Sequence, residues 1–179
     1  LQEDWDGDNH ATLIGEVDHE TRLWFDDRLA DRFYGSGLSV LARYPVVAQQ
    51  FVHFTTCSGT IGGASDCLAS KGFQALRQQL SLGVEVDFYN THLEAGGGDE
   101  DNAVRAQQVA MLLESLGGWS ADRAVVFTGD FNLHGGDPED LRELLDDFQQ
   151  EGPRTLSQMQ SAAHAGDRDA LRIAAHSLK

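Results

Sequence analysis

The stretch VVFTGDFNLHGG, residues 125–136, sets an apolar run of strand-forming residues against a polar end: an acid, an aromatic, an amide, then a histidine and two glycines. In an extended strand, positions two apart project to the same side. Asp130 and Asn132 are therefore expected to stand together at the strand tip, with Phe131 turned back toward the packing face. The alternative is a turn in which the same two residues bond the backbone, as Asp and Asn readily do. A buried run that carries polar groups only at its tip points to a role outside the core.

Helical patterns flank this strand. Upstream, after the loop AGGGDEDN (95–102), Ala106, Val109, Ala110, Leu113 and Leu116 recur at spacings of three and four, and Gly117-Gly118 is expected to stop the helix. Downstream, Asp137 is placed to cap a helix that Pro138 opens, with Leu141, Leu144, Leu145 and Phe148 as its stripe. Nearer the start, GLSVLARYPV (37–46) alternates Leu38, Val40 and Ala42 with other residues, a strand leaving a glycine turn at 35–37 and ending at Pro45. Residues 73–80 and 84–93 read as a hairpin around Ser81–Gly83. Hairpins followed by strand and helix in alternation predict a mixed α/β domain with helices packed on a sheet.

The hairpin's second strand has its own polar tip. In VEVDFYNTHLEAG (84–96), Val84, Val86, Phe88, Asn90 and His92 share one face, which turns from apolar to polar at its last two positions. A histidine there commonly does no more than satisfy local hydrogen bonds. The opening LQED (1–4) is uninformative alone.

The chain's 179 residues suit one domain, and 41% hydrophobic residues can bury a core. No run approaches the roughly 18 consecutive apolar residues of a membrane helix. A net charge of −16 argues against duplex nucleic acid as a partner, although a bridging cation would still admit a local anionic substrate. Cys57 and Cys67 flank the flexible loop CSGTIGGASDC (57–67). A disulfide would staple it in an exported protein; two half-buried thiols are the cytosolic alternative.

Taken in order, LQED (1–4), SGLSVLARYPV (36–46), DCLASKGF (66–73), YNTHLEAG (89–96), RAQQV (105–109) and TGDFN (128–132) resemble the endonuclease/exonuclease/phosphatase superfamily of metal-dependent phosphoesterases. The order DCLASK, strand, THLEAG is most similar to its sphingomyelinase branch. The resemblance implies an incomplete four-layer α/β/β/α sandwich, DNase-I-like, over residues 1–150. It makes Glu3 the ligand of Mg²⁺ (or Mn²⁺), His92 the residue on the scissile phosphate, Asp130 the carboxylate that orients or deprotonates water, and Asn132 an amide on the phosphoryl oxygens. Asn90 is given a supporting role, and Asp66 with Lys71 a pair that can reorganise the site. The implied reaction is in-line attack of water on a phosphodiester, sphingomyelin or a related phospholipid at a membrane surface, with a DNase-like nuclease or a phosphatase as the alternatives.

The chain departs from the family pattern at both ends. An asparagine-bearing strand before LQE and, after Phe148, an aspartate followed by an SDH-like histidine are expected and not found, so we expect a truncated chain that is inactive or severely impaired. Residues 151–179 are nearly neutral and resemble the start of a histidine phosphotransfer domain, a C-terminal α-helical segment in which LRIAAHSLK (171–179) would carry the phosphoacceptor His176. Arg172, His176 and Lys179 fall on one helical face. That resemblance implies a response-regulator partner and a cytoplasmic setting, whereas the phosphoesterase part implies a secreted or periplasmic one. An ordinary amphipathic helix is the plainer alternative.

Overall fold

The computed structural model describes residues 1–60, 66–133, 157–158 and 161–170. The chain divides into two compact units, residues 1–132 and 133–179. In the second, a helical turn ending at Gly166 is closed by Asp167 N–H on the Ala162 carbonyl and Gly166 N–H on that of Ala163, and the Asp167 carboxylate then accepts the Ala170 N–H. Helix thus gives way to a turn at Gly166 and Asp167 and resumes at Arg168. The helix expected over 137–148, the boundary near 151 and His176 lie outside the described residues.

The first unit is built as α1 (Gly7–Gly15), β1 (Thr21–Phe25), β2 (Leu38–Ala42), β3 (Val46–His53), a short 3₁₀ turn at Asp66–Leu68, β4 (Gly72–Ser81), β5 (Val84–His92), α2 (Asp99–Trp119) and β6 (Ala124–Asp130). β1 and β2 form an antiparallel pair; β3, β4, β5 and β6 form a second sheet in that order. The expected β4–β5 hairpin is present, and β6 joins β5 in parallel. Parallel neighbours need a long return connection, and α2 supplies it.

Side chains on alternate faces of each strand stack these elements into four layers. On β1, Trp24 stacks on His10 of α1 at 4.3 Å while Phe25 faces the second sheet, 5.2 Å from Phe51 and 4.5 Å from His53. On β5, Asn90 reaches the β1–β2 sheet through the Ser39 carbonyl, and Tyr89 points the other way into a core of Phe54, Phe73, Ala75, Leu93 and Leu112 under α2. The order is helix, sheet, sheet, helix, and C-terminal helical turns follow.

Two details of α2 differ from the sequence expectation. Its buried face is Val104, Arg105, Gln108 and Leu112, whereas Leu113 is exposed. Arg105 and Gln108 turn inward because the loop after β5 offers them bonds: Arg105 donates to the carbonyls of Glu94 and Gly96, and Gln108 accepts the Glu94 N–H. The helix also runs through Gly117-Gly118 to Trp119. Trp119 is gripped there by Arg77, which lies over its ring at 4.5 Å, donates to its carbonyl at 2.9 Å and pairs twice with buried Asp87. Tertiary contacts thus outweigh the weak helix propensity of two glycines.

Candidate functional site

β5 and β6 bring their polar tips to the same end of the sheet. Their parallel register sets His92 opposite Asp130, and the Leu93 N–H donates to the Asp130 carbonyl at 2.9 Å. Close approach here requires glycine. At Gly129, φ is 144° and a Cβ would lie 2.1 Å from the Thr91 carbonyl oxygen.

Beyond Asp130 the strand stops, so Asp130 and Asn132 do not share a strand face as the alternation predicted. Asn132 turns left-handed at φ 48°, and the Asp130 carboxylate accepts its N–H at 2.9 Å. The turn geometry weighed as the alternative is the one present. Phe131 packs against the core as expected, and the Asn132 side chain donates to the Leu93 carbonyl at 2.9 Å. Asp130 is exposed, which suits a carboxylate meant to act on solvent.

His92 is 4% exposed and stacks against Trp5 with ring centroids 6.3 Å apart. Burial holds its imidazole below the ordinary 6.5, the Lys71 ammonium adds to that effect, and the carboxylates of Asp130, Glu3 and Asp66 oppose it. His92 is therefore neutral at neutral pH. Its Nδ1 is buried with no hydrogen-bond partner among the described residues. A buried ring nitrogen left without a partner is a costly arrangement that a bound ligand would relieve.

Glu3 reaches the site from the N-terminal segment, which lies along β2 through bonds between Leu1 and Ser39 and between Asp4 and Gly37. Its backbone is left-handed at φ 60°, its carboxylate is exposed, and its charge acts on His92. Asn90 is buried, with both ends of its amide bonded within the protein.

Asp66 and Lys71 form a buried ion pair at 2.6 Å behind the site. Asp66 also accepts the Ala95 N–H, and Lys71 donates to the Leu93 carbonyl at 2.6 Å. Cys57 and Cys67 are joined by a disulfide, Cα–Cα 5.3 Å, so of the two states left open by the sequence the bonded one is present. The staple holds the start of the turn that carries Asp66. The structure thus places Glu3, Asp66, Lys71 and Asp130 within electrostatic reach of His92, and Asn132 on the neighbouring carbonyl.

Sequence reasoning overlooked Glu94, two residues past His92. Fully buried, it accepts the Ser58 N–H at 2.8 Å, and burial with the nearby Asp66 pushes its carboxyl up to about 7. An acid inside a loop of apolar and glycine residues, LEAGGG, was the available signal.

For a divalent cation the described residues hold no cluster of three or more His, Cys, Asp or Glu. A small hard ion that keeps most of its waters and shares the rest with substrate phosphate needs only one or two carboxylates. Exposed Glu3, whose charge reaches His92, fits that limited demand.

No family model matches the chain. It is 33% identical over 106 residues to the sphingomyelinases of Mycobacterium bovis and Mycobacterium tuberculosis, spanning 59% of this chain and 20% of theirs. Its structure superposes on sphingomyelinase C from Streptomyces griseocarneus with a TM-score of 0.66 at 22% identity, over 82% of this chain and 55% of that one. On truncated Caenorhabditis elegans TDP2 the TM-score is 0.53 at 21% identity, over 75% and 49% of the two chains. The chain therefore spans about a fifth of the length of the curated relatives and about half that of the solved structures. Fold and relatives together fit the endonuclease/exonuclease/phosphatase superfamily, with the sandwich architecture of DNase-I-like proteins. Within that class the similar sequences are sphingomyelinases.

Proposed function

We propose that this site belongs to a phosphodiesterase acting on a phospholipid, sphingomyelin in the first place, and that water attacks the phosphorus in line to leave ceramide and phosphocholine. The observation that carries the reading is the His92–Asp130 register: a buried neutral imidazole and an exposed carboxylate at adjoining strand ends. Asp130 orients the water and takes its proton. His92 donates a ring N–H to a phosphoryl oxygen, where charge develops as the new bond forms. Asn132, anchored on the Leu93 carbonyl by one amide hydrogen, directs the other at the phosphate. Lys71 keeps a positive charge behind the imidazole.

Glu3 would hold Mg²⁺ (or Mn²⁺), and such an ion, when bound, neutralises the phosphate charge. It also answers how so acidic a protein accepts an anion. The Cys57–Cys67 disulfide supports an oxidising compartment, hence a secreted or periplasmic setting. His176 as a phosphoacceptor is a separate proposal for the tail, tested by acid-labile labelling with acetyl phosphate.

The test is phosphocholine release from sphingomyelin vesicles with and without Mg²⁺. Release by the protein carrying this site is expected to need Mg²⁺ and to fall roughly 10²- to 10⁴-fold on Asp130→Ala. The isolated 179-residue chain is expected to turn over slowly if at all. Asp130-dependent cleavage of DNA or of a phosphomonoester, with sphingomyelin left intact, would move the site to the nuclease or phosphatase reading.

A further inference from the structure

Glu3 is held in its left-handed conformation from both sides. A residue with a side chain takes that conformation only when its surroundings impose it. On one side, Asp4 donates its N–H to the Gly37 carbonyl, and its carboxylate is gripped by His10 Nδ1 at 2.6 Å and by the Ser39 hydroxyl. On the other, Gln2 Nε2 donates to Asn90 Oδ1 at 2.6 Å.

That second grip depends on which way round the Asn90 amide stands. Its Nδ2 faces the Leu1 carbonyl at 3.1 Å, the Ser39 carbonyl at 3.3 Å and Gln74 Oε1 at 3.1 Å. Gln74 is the cross-strand neighbour of Asn90 on β4 and is fully buried. Like the Leu1 and Ser39 carbonyls its oxygen can only accept, so the three together require the NH₂ end of Asn90 and leave Oδ1 turned toward Gln2; Gln74 is the one side chain among them. Gln74 itself is poorly served, for its Nε2 is buried with no partner among the described residues. An unmatched buried donor costs stability, and a methionine of similar size would avoid it.

We propose that Gln74 is a positioning residue which, by fixing the Asn90 amide against Gln2, holds Glu3 in place for a divalent cation. This rests on the reading of Glu3 as the cation's ligand. Gln74 touches neither ion nor substrate and acts through two amides in series.

The experiment measures Mn²⁺ binding to the full chain by the electron paramagnetic resonance of free Mn²⁺, together with thermal unfolding, for wild type, Glu3→Gln, Gln74→Met, Gln2→Ala and the Gln74→Met/Gln2→Ala double variant. Gln74→Met is expected to raise the dissociation constant about ten-fold with no fall in Tm. Gln2→Ala should do the same, and the double variant should be no worse than the weaker single, because both act through Asn90. Wild-type Mn²⁺ affinity in Gln74→Met alongside lost affinity in Glu3→Gln overturns the positioning role and leaves the reading of Glu3 standing. Undiminished binding in Glu3→Gln removes that reading and the positioning role with it. Losses that add in the double variant, or that track a falling Tm, reduce Gln74 to a structural residue and overturn the proposal.

Discussion

Lys71 and Asn132 meet on one atom, the Leu93 carbonyl oxygen, which accepts from Lys71 Nζ at 2.6 Å and from Asn132 Nδ2 at 2.9 Å. The residue after His92 thereby ties the buried Asp66–Lys71 pair to the turn that closes β6. Lys71→Met would leave the Asp66 carboxylate buried without its counter-ion, and breaking such a pair costs about 3–5 kcal/mol. Adding Asp66→Asn should recover part of the loss. Urea unfolding of the two variants checks this, and a Lys71→Met protein as stable as wild type would contradict it.

The His92 midpoint, followed by NMR, is expected below 6.5 because burial disfavours the imidazolium. Lys71→Met removes a cation and should move it up; Glu3→Gln removes an anion and should move it down. The stability consequence has a definite sign. Below 6.5 the unfolded chain takes a proton that the folded one refuses, so His92 contributes stability at higher pH that is lost as pH falls toward the folded midpoint. His92→Gln should blunt that loss.

Glu94 has the opposite sign. Its folded carboxyl titrates at about 7 against an ordinary 4.5, so between those values the native state keeps a proton that the unfolded chain releases. Stability should decline as pH rises through this window, by on the order of 3 kcal/mol at full extent. Glu94→Gln, compared with wild type by thermal unfolding at pH 5 and pH 8, should gain relative stability at pH 8 alone. Parallel curves would exclude Glu94 as the source.

Opening the Cys57–Cys67 bond, which closes a loop with a sequence separation of 10, should cost about 3 kcal/mol on chain-entropy grounds. The Asp66 turn should loosen first. Hydrogen exchange at the Ala95 amide, which the Asp66 carboxylate accepts, reports this directly, and unchanged protection after reduction would show that the turn stands without its staple.

What the sequence disclosed and what it hid have separate physical origins. The β4–β5 hairpin, β6 and the existence of α2 were legible because period-two and period-3.6 patterns are local properties of a chain. The buried face of α2 was not, because Arg105 and Gln108 are inside for the sake of carbonyls and an N–H supplied by the loop after β5. Counting apolar residues could only favour Leu113. Asn132 was misplaced for a related reason: alternation holds only while the backbone stays extended, and Asp130 ends the strand by bonding the Asn132 N–H. α1 and β3 went unannounced because their inward positions include buried His10 and half-buried Gln50 and His53 beside the apolar residues, and β1 because it is only 5 residues long. Motif order brought His92, Asp130 and Glu3 together before any geometry was known, whereas Gln74 carries no signal outside the folded sheet and Glu94 only that of an acid in an apolar, glycine-rich loop.

The crossover between β5 and β6 places different demands on different stretches of the chain. Helix α2 can lengthen, shorten or exchange its surface residues so long as it returns the chain to the same edge, because its job is transport. The pairing it serves has no such latitude. A slip of one step between the two strands would set Gly129, not Asp130, across from His92 and turn alternate side chains to the wrong face. Homologous chains should accordingly differ in the length and the exposed residues of α2 while keeping the histidine and the aspartate paired across the two strand ends.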